Sequence, residues 1–518
     1  MDEIEVGILK RLLPLLEQSL APLLPVSFKL EEKGNGLPLE FRGNYLGHLV
    51  LSPDGLSQEE LSRWKPTVLA LAHELLNRLL NENLIEGLPG PRILENDLKQ
   101  QEFSGLLVKG PRPTGDKLYA LAPGLYFLPE EGVKSREFLS SLWAKEEDFT
   151  AVSVRFSSPE DLNQAEDLIW LAEAFGFTWL SGKALKCLAE EWAFSDLDKV
   201  KKGLFPLVAA AERRKLLVLV EGPEEALSYL AGQALAKYEI NSTKGLFVFD
   251  LLLEEILSLA EELGFLAGIY PGGEHLPPLA AVWAAFEHGR RLKRPQAVVF
   301  SGFTYHVAGD LYADLGDLGA ALRVYLAGRE GTAQPVDLLN SLAVIMIQLG
   351  KRKEAREFLE EAISLSPKDP ILHYNLGLFL REEGHPEAEV CFQKAYSLAP
   401  EEEVFALAWA KSLAGKAKWA MVKEVLSGRK LSAKGLFLLA EACYQLGQLR
   451  EAFSLFKDVA RLDPKNAKAL AYLALLFAKL EGEKEVAKSL AEQAKGLDPE
   501  GVDDLLDSLG GFLKEDEH

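Results

Sequence analysis

The segment "LFKDVARLDPKNAKALAYLALLFAKLEGEKEVAKSLAEQAKGLDPEG", residues 455–501, carries the same short pattern near both ends. Pro464 and Pro499 each follow Leu-Asp and lie 35 residues apart. Upstream, Pro367 and Pro400 are 33 residues apart, and the 64 residues from Pro400 to Pro464 leave room for two units. A recurring spacing of about 34 residues is typical of repeat architectures. We therefore expect the C-terminal third to be a stack of similar units.

Glycine and alanine keep the same spacing and indicate what each unit contains. Small residues allow two antiparallel helices to approach closely, glycine permits the turn between them, and proline ends the second helix. The small residues of the first helices are Gly309, Ala343, Gly377, Ala408 and Ala440; the turn glycines are Gly316, Gly350, Gly384, Gly415, Gly447 and Gly482; the alanines after the turn are Ala321, Ala355, Ala388, Ala420, Ala452 and Ala487.

This pattern resembles the tetratricopeptide repeat (TPR) family over residues 302–501, about six units. The resemblance implies an all-α solenoid whose helix pairs stack into a superhelix with a concave groove. It also implies that a protein or peptide binds in that groove. Residues 502–518 are then expected to form a capping helix with an acidic tail.

The first helix of each unit supplies the candidate groove contacts. They are Tyr305, His306, Asn340, Tyr374 and Asn375. An asparagine can hold a peptide backbone through its paired donor and acceptor, or Asn340 and Asn375 can instead bridge adjacent units. The fourth unit lacks the terminal proline and has two tryptophans. Of these, Trp409 either packs in the core of that unit or anchors a partner in the groove.

Residues 1–90 are predicted to form an α+β domain, with a hairpin turn at Gly43-Asn44 and a long helix over 55–80 that begins with a capping box at Ser57–Glu60. The stretch "YLGHLVLSPDGLSQEELSRWKPTVLALAHELLNRLL", residues 45–80, resembles the last strand and exit helix of GAF domains. The resemblance implies a small-molecule sensor or a dimerisation module. An apolar exit helix suits a homodimer.

Residues 100–301 are predicted to form an α/β domain, because strands alternate with helices from about residue 150. Among these helices, one is expected over residues 223–238. Residues 100–150 are β-rich and either begin a second copy of this fold or extend the domain.

The stretch "AGIYPGGEHLPPLAAVWAAFEHGRRLKRPQAVVF", residues 267–300, resembles the end of a GGDEF (diguanylate cyclase) domain. In active cyclases a Gly-Gly-acidic hairpin and a strand-end aspartate hold the catalytic metals. Here the hairpin is expected within "EINSTKGLFVFDLL", residues 239–252, where Gly245 and Phe247 fit the motif but the acidic pair is missing; Thr243, Lys244 and Leu246 stand nearby instead. The preceding strand offers only Glu221, and Asp250 is either a metal ligand or a strand-end residue. The domain is predicted to be catalytically inactive and to need no cofactor.

Charge and cysteine content narrow the class of function. A net charge of −21 argues against non-specific nucleic-acid binding and against docking on anionic membranes. No apolar run is long enough to span a bilayer, the acidic N-terminus lacks signal-peptide features, and the three distant cysteines suggest neither disulfides nor a zinc site. We expect a cytoplasmic, non-enzymatic scaffold. The alternatives are a nucleotide-responsive effector or an active diguanylate cyclase.

Overall fold

Two compact units make up the chain in the computed structural model. The first comprises Met1–Ala333 with Ile347–Lys351, and the second comprises Gln334–Met346 with Arg352–His518. The structure describes residues 16, 28–31, 37–41, 44–51, 66, 68–72, 74–76, 84–85, 88–98, 102–110, 112–113, 118–129, 139, 142–143, 148–194, 196–213, 215–273, 276–294, 296–331 and 335–514.

The first unit opens with a three-stranded antiparallel sheet in the order β1-β3-β2. Its strands are β1 (Phe28–Glu31), β2 (Leu37–Phe41) and β3 (Asn44–Leu51). The predicted hairpin joins β2 to β3, but Asn44, which was predicted as a turn residue, is the first residue of β3 and pairs with Phe41. Residues 42 and 43 lie outside the described part. Of the helix predicted over 55–80, residues 68–72 and 74–76 are helical, and the capping box at 57–60 is outside the described residues. The α+β character of this region is confirmed.

A short connecting region leads to a first five-stranded sheet. It contains β4 (Leu84–Ile85), β5 (Leu88–Pro89) and helix α1 (Pro91–Leu98). The strands of the sheet are β6 (Phe103–Lys109), β7 (Tyr119–Ala122), β8 (Leu125–Pro129), β9 (Thr150–Phe156) and β10 (Trp179–Leu180). Their order is β10-β9-β6-β8-β7, and only the β9–β10 pair is parallel. Gly105 fits β6 against β8, because a Cβ there would lie 2.1 Å from the Leu128 carbonyl oxygen.

A second five-stranded sheet follows in the order β12-β13-β11-β14-β15. Its strands are β11 (Leu216–Glu221), β12 (Ala236–Asn241), β13 (Lys244–Phe249), β14 (Leu266–Tyr270) and β15 (Val298–Val299). Only β14–β15 is parallel. Numbered along the chain, both sheets have the order 2-3-1-4-5 with the same strand directions. Residues 103–180 thus repeat the strand order of residues 216–299, in line with the first of the two alternatives for residues 100–150. Helix α5, between β11 and β12, has no counterpart in the described residues between β6 and β7.

Helices cover both sheets and form a split β-α-β-β-α-β arrangement in the second. They are α2 (Ala165–Ala174), α3 (Gly182–Glu191), α4 (Leu197–Glu212), α5 (Glu224–Gln233), α6 (Leu253–Leu263) and α7 (Pro278–Arg291). The helix expected over residues 223–238 stops at Gln233, because the chain continues as edge strand β12, paired with β13.

Gly268 lets helix α7 pack directly on strand β14. A Cβ at this position would lie 2.3 Å from the Phe286 nitrogen and 2.3 Å from the Val282 oxygen, both backbone atoms that cannot move aside. The turn that follows uses Gly272 and Gly273 at φ of 86° and 83°, where glycine is favoured.

The predicted helix pairs are all present. The helices are α8 (Thr304–Leu315), α9 (Leu318–Gly331), α10 (Val336–Gln348), α11 (Arg352–Leu365), α12 (Pro370–Glu382), α13 (Ala388–Leu398), α14 (Glu403–Ala414), α15 (Trp419–Leu426), α16 (Ala433–Gln445), α17 (Leu449–Leu462), α18 (Ala467–Leu476), α19 (Lys484–Leu497) and α20 (Pro499–Lys514). The pair α8–α9 belongs to the first unit. Within the described ranges, no helix combines the length and the apolar character that crossing a membrane requires.

Small residues bring the two helices of a pair together, as the spacing predicts. A Cβ on Gly309 would lie 2.1 Å from the Tyr325 ring, and one on Gly377 would lie 2.7 Å from the Phe392 ring. The second unit ends with α20, whose Val502 is buried against α18 and α19. Helix α20 therefore packs on the last repeat, as expected for the predicted capping helix.

The turn between α14 and α15 departs from the prediction. Gly316, Gly350, Gly384, Gly447 and Gly482 all have positive φ, between 67° and 91°. Gly415 instead has φ of −60°, and Ala417 takes the left-handed conformation at φ 54°. Helix α14 ends at Ala414 and α15 begins at Trp419, and the left-handed residue of this turn falls two positions after the predicted glycine.

Ala417→Gly should therefore stabilise the protein by about 1 kcal/mol, because an alanine Cβ is disfavoured at positive φ and the site is exposed. Urea unfolding followed by tryptophan fluorescence measures the change. As a control, Ala414→Gly makes the same substitution at a helical residue and should destabilise by about 0.5–1 kcal/mol. Equal effects of the two substitutions would contradict the assignment of strain to Ala417.

Candidate functional site

The first helices of the second unit share a row of side chains at equivalent positions. Each row member directly follows the small residue that packs on the second helix. We call these residues the inner row: Val344, Leu378, Trp409 and Glu441. Val344 is 40% exposed, Leu378 and Glu441 are half-buried, and Trp409 is 9% exposed.

Aromatic side chains lie one turn before the inner row on three of these helices. They are Tyr374, Phe405 and Phe437, and residues four apart share one helix face. The rings of Tyr374 and Phe405 are 5.5 Å apart, so they connect neighbouring first helices. Since Tyr374 and Phe437 remain partly exposed, the helices present an apolar and aromatic face.

Asn340 and Asn375 bridge adjacent repeats. The Asn375 amide donates to the Asn340 carbonyl oxygen over 2.7 Å, which matches the bridging alternative. Both side chains are half-buried. Among the described residues no other bond engages the Asn340 amide nitrogen or the Asn375 carbonyl oxygen, so one donor and one acceptor are available to a ligand.

Comparison with known proteins identifies the repeats. The family model described as "Tetratricopeptide repeat" matches residues 336–369 and 433–466. The C-terminal region contains tetratricopeptide repeats. Protein NPGR2 of Arabidopsis thaliana is 32% identical over 106 residues, which are 19% of this chain and 14% of that protein. The chain thus matches a small part of that relative's length.

Several solved TPR-type structures resemble the chain at low identity. PilF of Pseudomonas aeruginosa is 23% identical with a TM-score of 0.34, over 38% of this chain and 90% of that one. A MamA RS-1 double mutant is 20% identical with a TM-score of 0.29, over 32% of this chain and 96% of that one. YrrB, described as a TPR protein with an unusual peptide-binding site, is 20% identical with a TM-score of 0.23, over 38% of this chain and 87% of that one.

Two of the predicted TPR contacts lie in the first unit. Tyr305 is 5% exposed and its ring lies 4.8 Å from that of Phe300, so it is a core residue. His306 faces Asp310, with Nε2 3.7 Å from Oδ1, and its ring lies 5.3 Å from that of Phe303. These contacts leave Tyr305 little surface for a partner.

Trp409 also has mainly core contacts. Its ring lies 5.1 Å from the Tyr396 ring, and Arg429 lies over the same tyrosine at 5.1 Å. The Trp409 Nε1 is buried without a hydrogen-bond partner in the described part of the chain. Of the two alternatives for Trp409, the structure shows packing in the fourth TPR unit.

The hairpin expected from the cyclase resemblance lies between β12 and β13 and carries no acidic pair. Lys244 is the first residue of β13, is 5% exposed and forms an ion pair with Glu191 of helix α3. Arg290 lies 3.6 Å from the same Glu191 carboxylate and 2.8 Å from that of Glu287. Burial raises the pKa of Glu287. A buried ammonium group thus lies directly before Gly245 in this hairpin.

The remaining acidic residues of this region do not assemble a metal site. Asp250 pairs with Lys215 over 2.5 Å at the surface, so it is a strand-end residue in an ion pair. Glu221 is exposed and opposite Lys244 in the register of β11 and β13. Across the described ranges, no group of three metal-ligating side chains was found.

Asp317 joins the first TPR helix pair to the first five-stranded sheet. Its side chain is fully buried in the α8–α9 turn. It accepts hydrogen bonds from the backbone N–H groups of Thr178 (2.6 Å), Trp179 (2.8 Å) and Ala320 (3.0 Å), and from the Thr178 hydroxyl. Burial raises the pKa of Asp317, and these four donors oppose the rise.

Further contacts strengthen the same junction. The Trp143 indole donates to the Thr178 hydroxyl oxygen over 3.0 Å, and the Tyr312 hydroxyl donates to the Phe175 carbonyl over 2.7 Å. A Cβ on Gly319 would lie 2.1 Å from the Trp143 Nε1, so α9 starts in direct contact with this tryptophan. The junction has a structural role and was not predicted, because its partners are more than 130 residues apart in sequence.

Proposed function

We propose that the protein is a non-enzymatic cytoplasmic scaffold that binds a protein or peptide segment on the inner surface of its TPR helices. The observation that carries this proposal is the partly exposed apolar and aromatic face formed by Val344, Leu378, Tyr374, Phe437 and Tyr444. Stacked helix pairs generate extended concave binding surfaces, and aromatic anchors supply much of the energy at such surfaces.

The amide pair favours an extended partner segment. The Asn340 amide nitrogen can donate to a peptide carbonyl, and the Asn375 carbonyl can accept from a peptide N–H. Because the two asparagines hold each other in place, their free groups are preorganised. Preorganisation reduces the entropy lost on binding.

The α/β region of the first unit is proposed to dock or dimerise rather than catalyse. In this proposal residues 100–301 are a GGDEF-like region without its metal ligands, and residues 1–90 are a GAF-like region that supports a homodimer. A nucleotide-responsive effector would need a polar pocket near the hairpin, where Lys244 and Glu191 already bind each other. Formation of cyclic di-GMP from GTP and Mg²⁺ by the purified chain would contradict this part of the proposal.

The test uses dodecapeptides selected from a displayed random library against the full chain. Leu378→Lys places a charge in the apolar face and should weaken binding of the selected peptides about tenfold, the effect of losing one well-packed anchor. The matched control is Val390→Lys on the second helix α13, where Val390 is 63% exposed, and it should change affinity less than twofold. Failure to select any peptide that Leu378→Lys weakens would refute the proposed site.

A further inference from the structure

We infer that the segment bound by the TPR surface carries a basic side chain, lysine or arginine, that docks against Glu441. This inference rests on the proposed function and names the chemistry of its partner. The site is the last member of the inner row together with the aromatic rings around it.

Glu441 is a half-buried carboxylate that forms no ion pair with any residue the structure describes. It follows Ala440 on helix α16, at the position that Trp409 holds in the preceding repeat. Its one hydrogen bond within the described part of the chain comes from the Tyr472 hydroxyl at 3.4 Å, which is long for an O–H donor. Burial raises the pKa of Glu441, and the charge of Lys468 opposes this without an ion pair.

Other acidic residues of the same repeats have close partners. Glu389 lies 2.8 Å from the Lys418 ammonium group, Glu451 lies 2.5 Å from that of Lys423, and Glu403 accepts from the Ser432 N–H and hydroxyl at 2.8 and 2.7 Å. A partly desolvated carboxylate loses hydration energy that a nearby cation can restore. Glu441, unlike these three acids, would therefore gain an ion-pair partner from a cation supplied by a ligand.

The rings next to Glu441 suit the same ligand group. Tyr444 lies one turn along α16, and its ring centroid is 5.0 Å from that of Tyr472 at an angle of 64°. Phe437 lies one turn before Glu441, and its ring is 6.2 Å from that of Tyr472. Aromatic faces attract ammonium and guanidinium groups, and the planar guanidinium also stacks on them. A carboxylate bordered by three rings thus matches a basic side chain on an aliphatic stem.

The rest of the surface defines what should accompany the basic residue. Leu378 and Val344 continue the inner row away from Glu441, so the partner should place apolar side chains on one side of its basic residue. The net charge of −21 favours the approach of a basic segment over long range.

The experiment starts from the library-selected dodecapeptides that Leu378→Lys weakens. These peptides should contain lysine or arginine, and Glu441→Gln should weaken them about tenfold, as expected for loss of a charged hydrogen bond and a cation–aromatic contact. Replacing the basic residue of the peptide by glutamine should have a similar effect, and combining both changes should add little. Glu424→Gln on helix α15 makes the same charge change at an exposed residue and should alter affinity less than twofold.

Different results would contradict this inference and the proposed function. Peptides that depend on Leu378 but lack a basic residue, or that bind Glu441→Gln as well as the wild type, would overturn the inference and leave the TPR surface as the binding site. If no selected peptide depends on Leu378, the proposed function itself fails.

Discussion

Asp317→Ala is expected to destabilise the first unit by about 3–5 kcal/mol, among the largest effects of any single substitution. The variant leaves three buried backbone N–H groups and the Thr178 hydroxyl without their acceptor. Each buried donor that loses its partner costs about 1–3 kcal/mol. The helix pair α8–α9 should also detach more readily from the sheet, because three of the four donors lie at its strand β10 and the fourth caps α9.

Hydrogen exchange and thermal unfolding test this expectation together. Amides of Thr304–Leu315 should exchange faster in Asp317→Ala, and the first unfolding midpoint should fall. Asp314→Ala is the control, since Asp314 is exposed three residues earlier in the same turn region and should change stability by less than about 0.5 kcal/mol. Matching exchange rates in the two variants would show that the Asp317 carboxylate does not hold the junction.

Lys244→Ala should cost about 1.5–3 kcal/mol, because it removes the buried cation of an ion pair whose carboxylate partner, Glu191, is half-buried. Glu191 would keep only Arg290, whose nitrogen is 3.6 Å away. The ammonium also lies 4.7 Å from the centre of the Phe286 ring on helix α7, a second contact that the variant loses. The second sheet and helices α3 and α7 should therefore unfold at a lower temperature.

Two further variants test whether the loss of stability in Lys244→Ala comes from the broken ion pair. Lys215→Ala removes a cation from the exposed pair with Asp250 and should cost less than about 1 kcal/mol. The double variant Lys244→Met with Glu191→Met removes both charges and should recover most of the lost stability, since apolar side chains replace buried ion pairs well. If the double variant is as unstable as Lys244→Ala, the loss comes from packing and not from an uncompensated charge.

The helices of the C-terminal region could be predicted from the spacing of individual residue types. Proline and glycine act through their own backbone conformation, so a regular spacing of these residues predicts where helices stop and turn. The prediction is wrong at Gly415, because the spacing shows which residue type suits a turn but not which residue of the turn takes the positive φ, here Ala417.

Contacts between distant segments could not be predicted in the same way. Lys244 was noted because it lies in the hairpin that lacks the acidic pair. Its partner Glu191 could not be predicted, since it is 53 residues away on a helix that the sequence did not indicate. Tyr305 was expected on the binding surface, and Trp409 either there or in the core; Tyr305 packs on Phe300, and Trp409 packs on Tyr396. Glu441 was missed because a glutamate on a helix is ordinarily solvated, and only the packed structure shows its aromatic neighbours.

The common strand order of the two five-stranded sheets creates a hazard of strand exchange during folding, since chains with repeated modules can misassemble between copies. Two glycines oppose part of it. Strand β9, "TAVSVRF", contains no glycine, and in the place of β14 its Cβ at the Gly268 position would collide with helix α7. Strand β11, "LLVLVE", would likewise collide with the Leu128 carbonyl at the Gly105 position of β6. We therefore expect Gly268→Ala and Gly105→Ala to weaken the discrimination between correct and exchanged strands as well as the native packing.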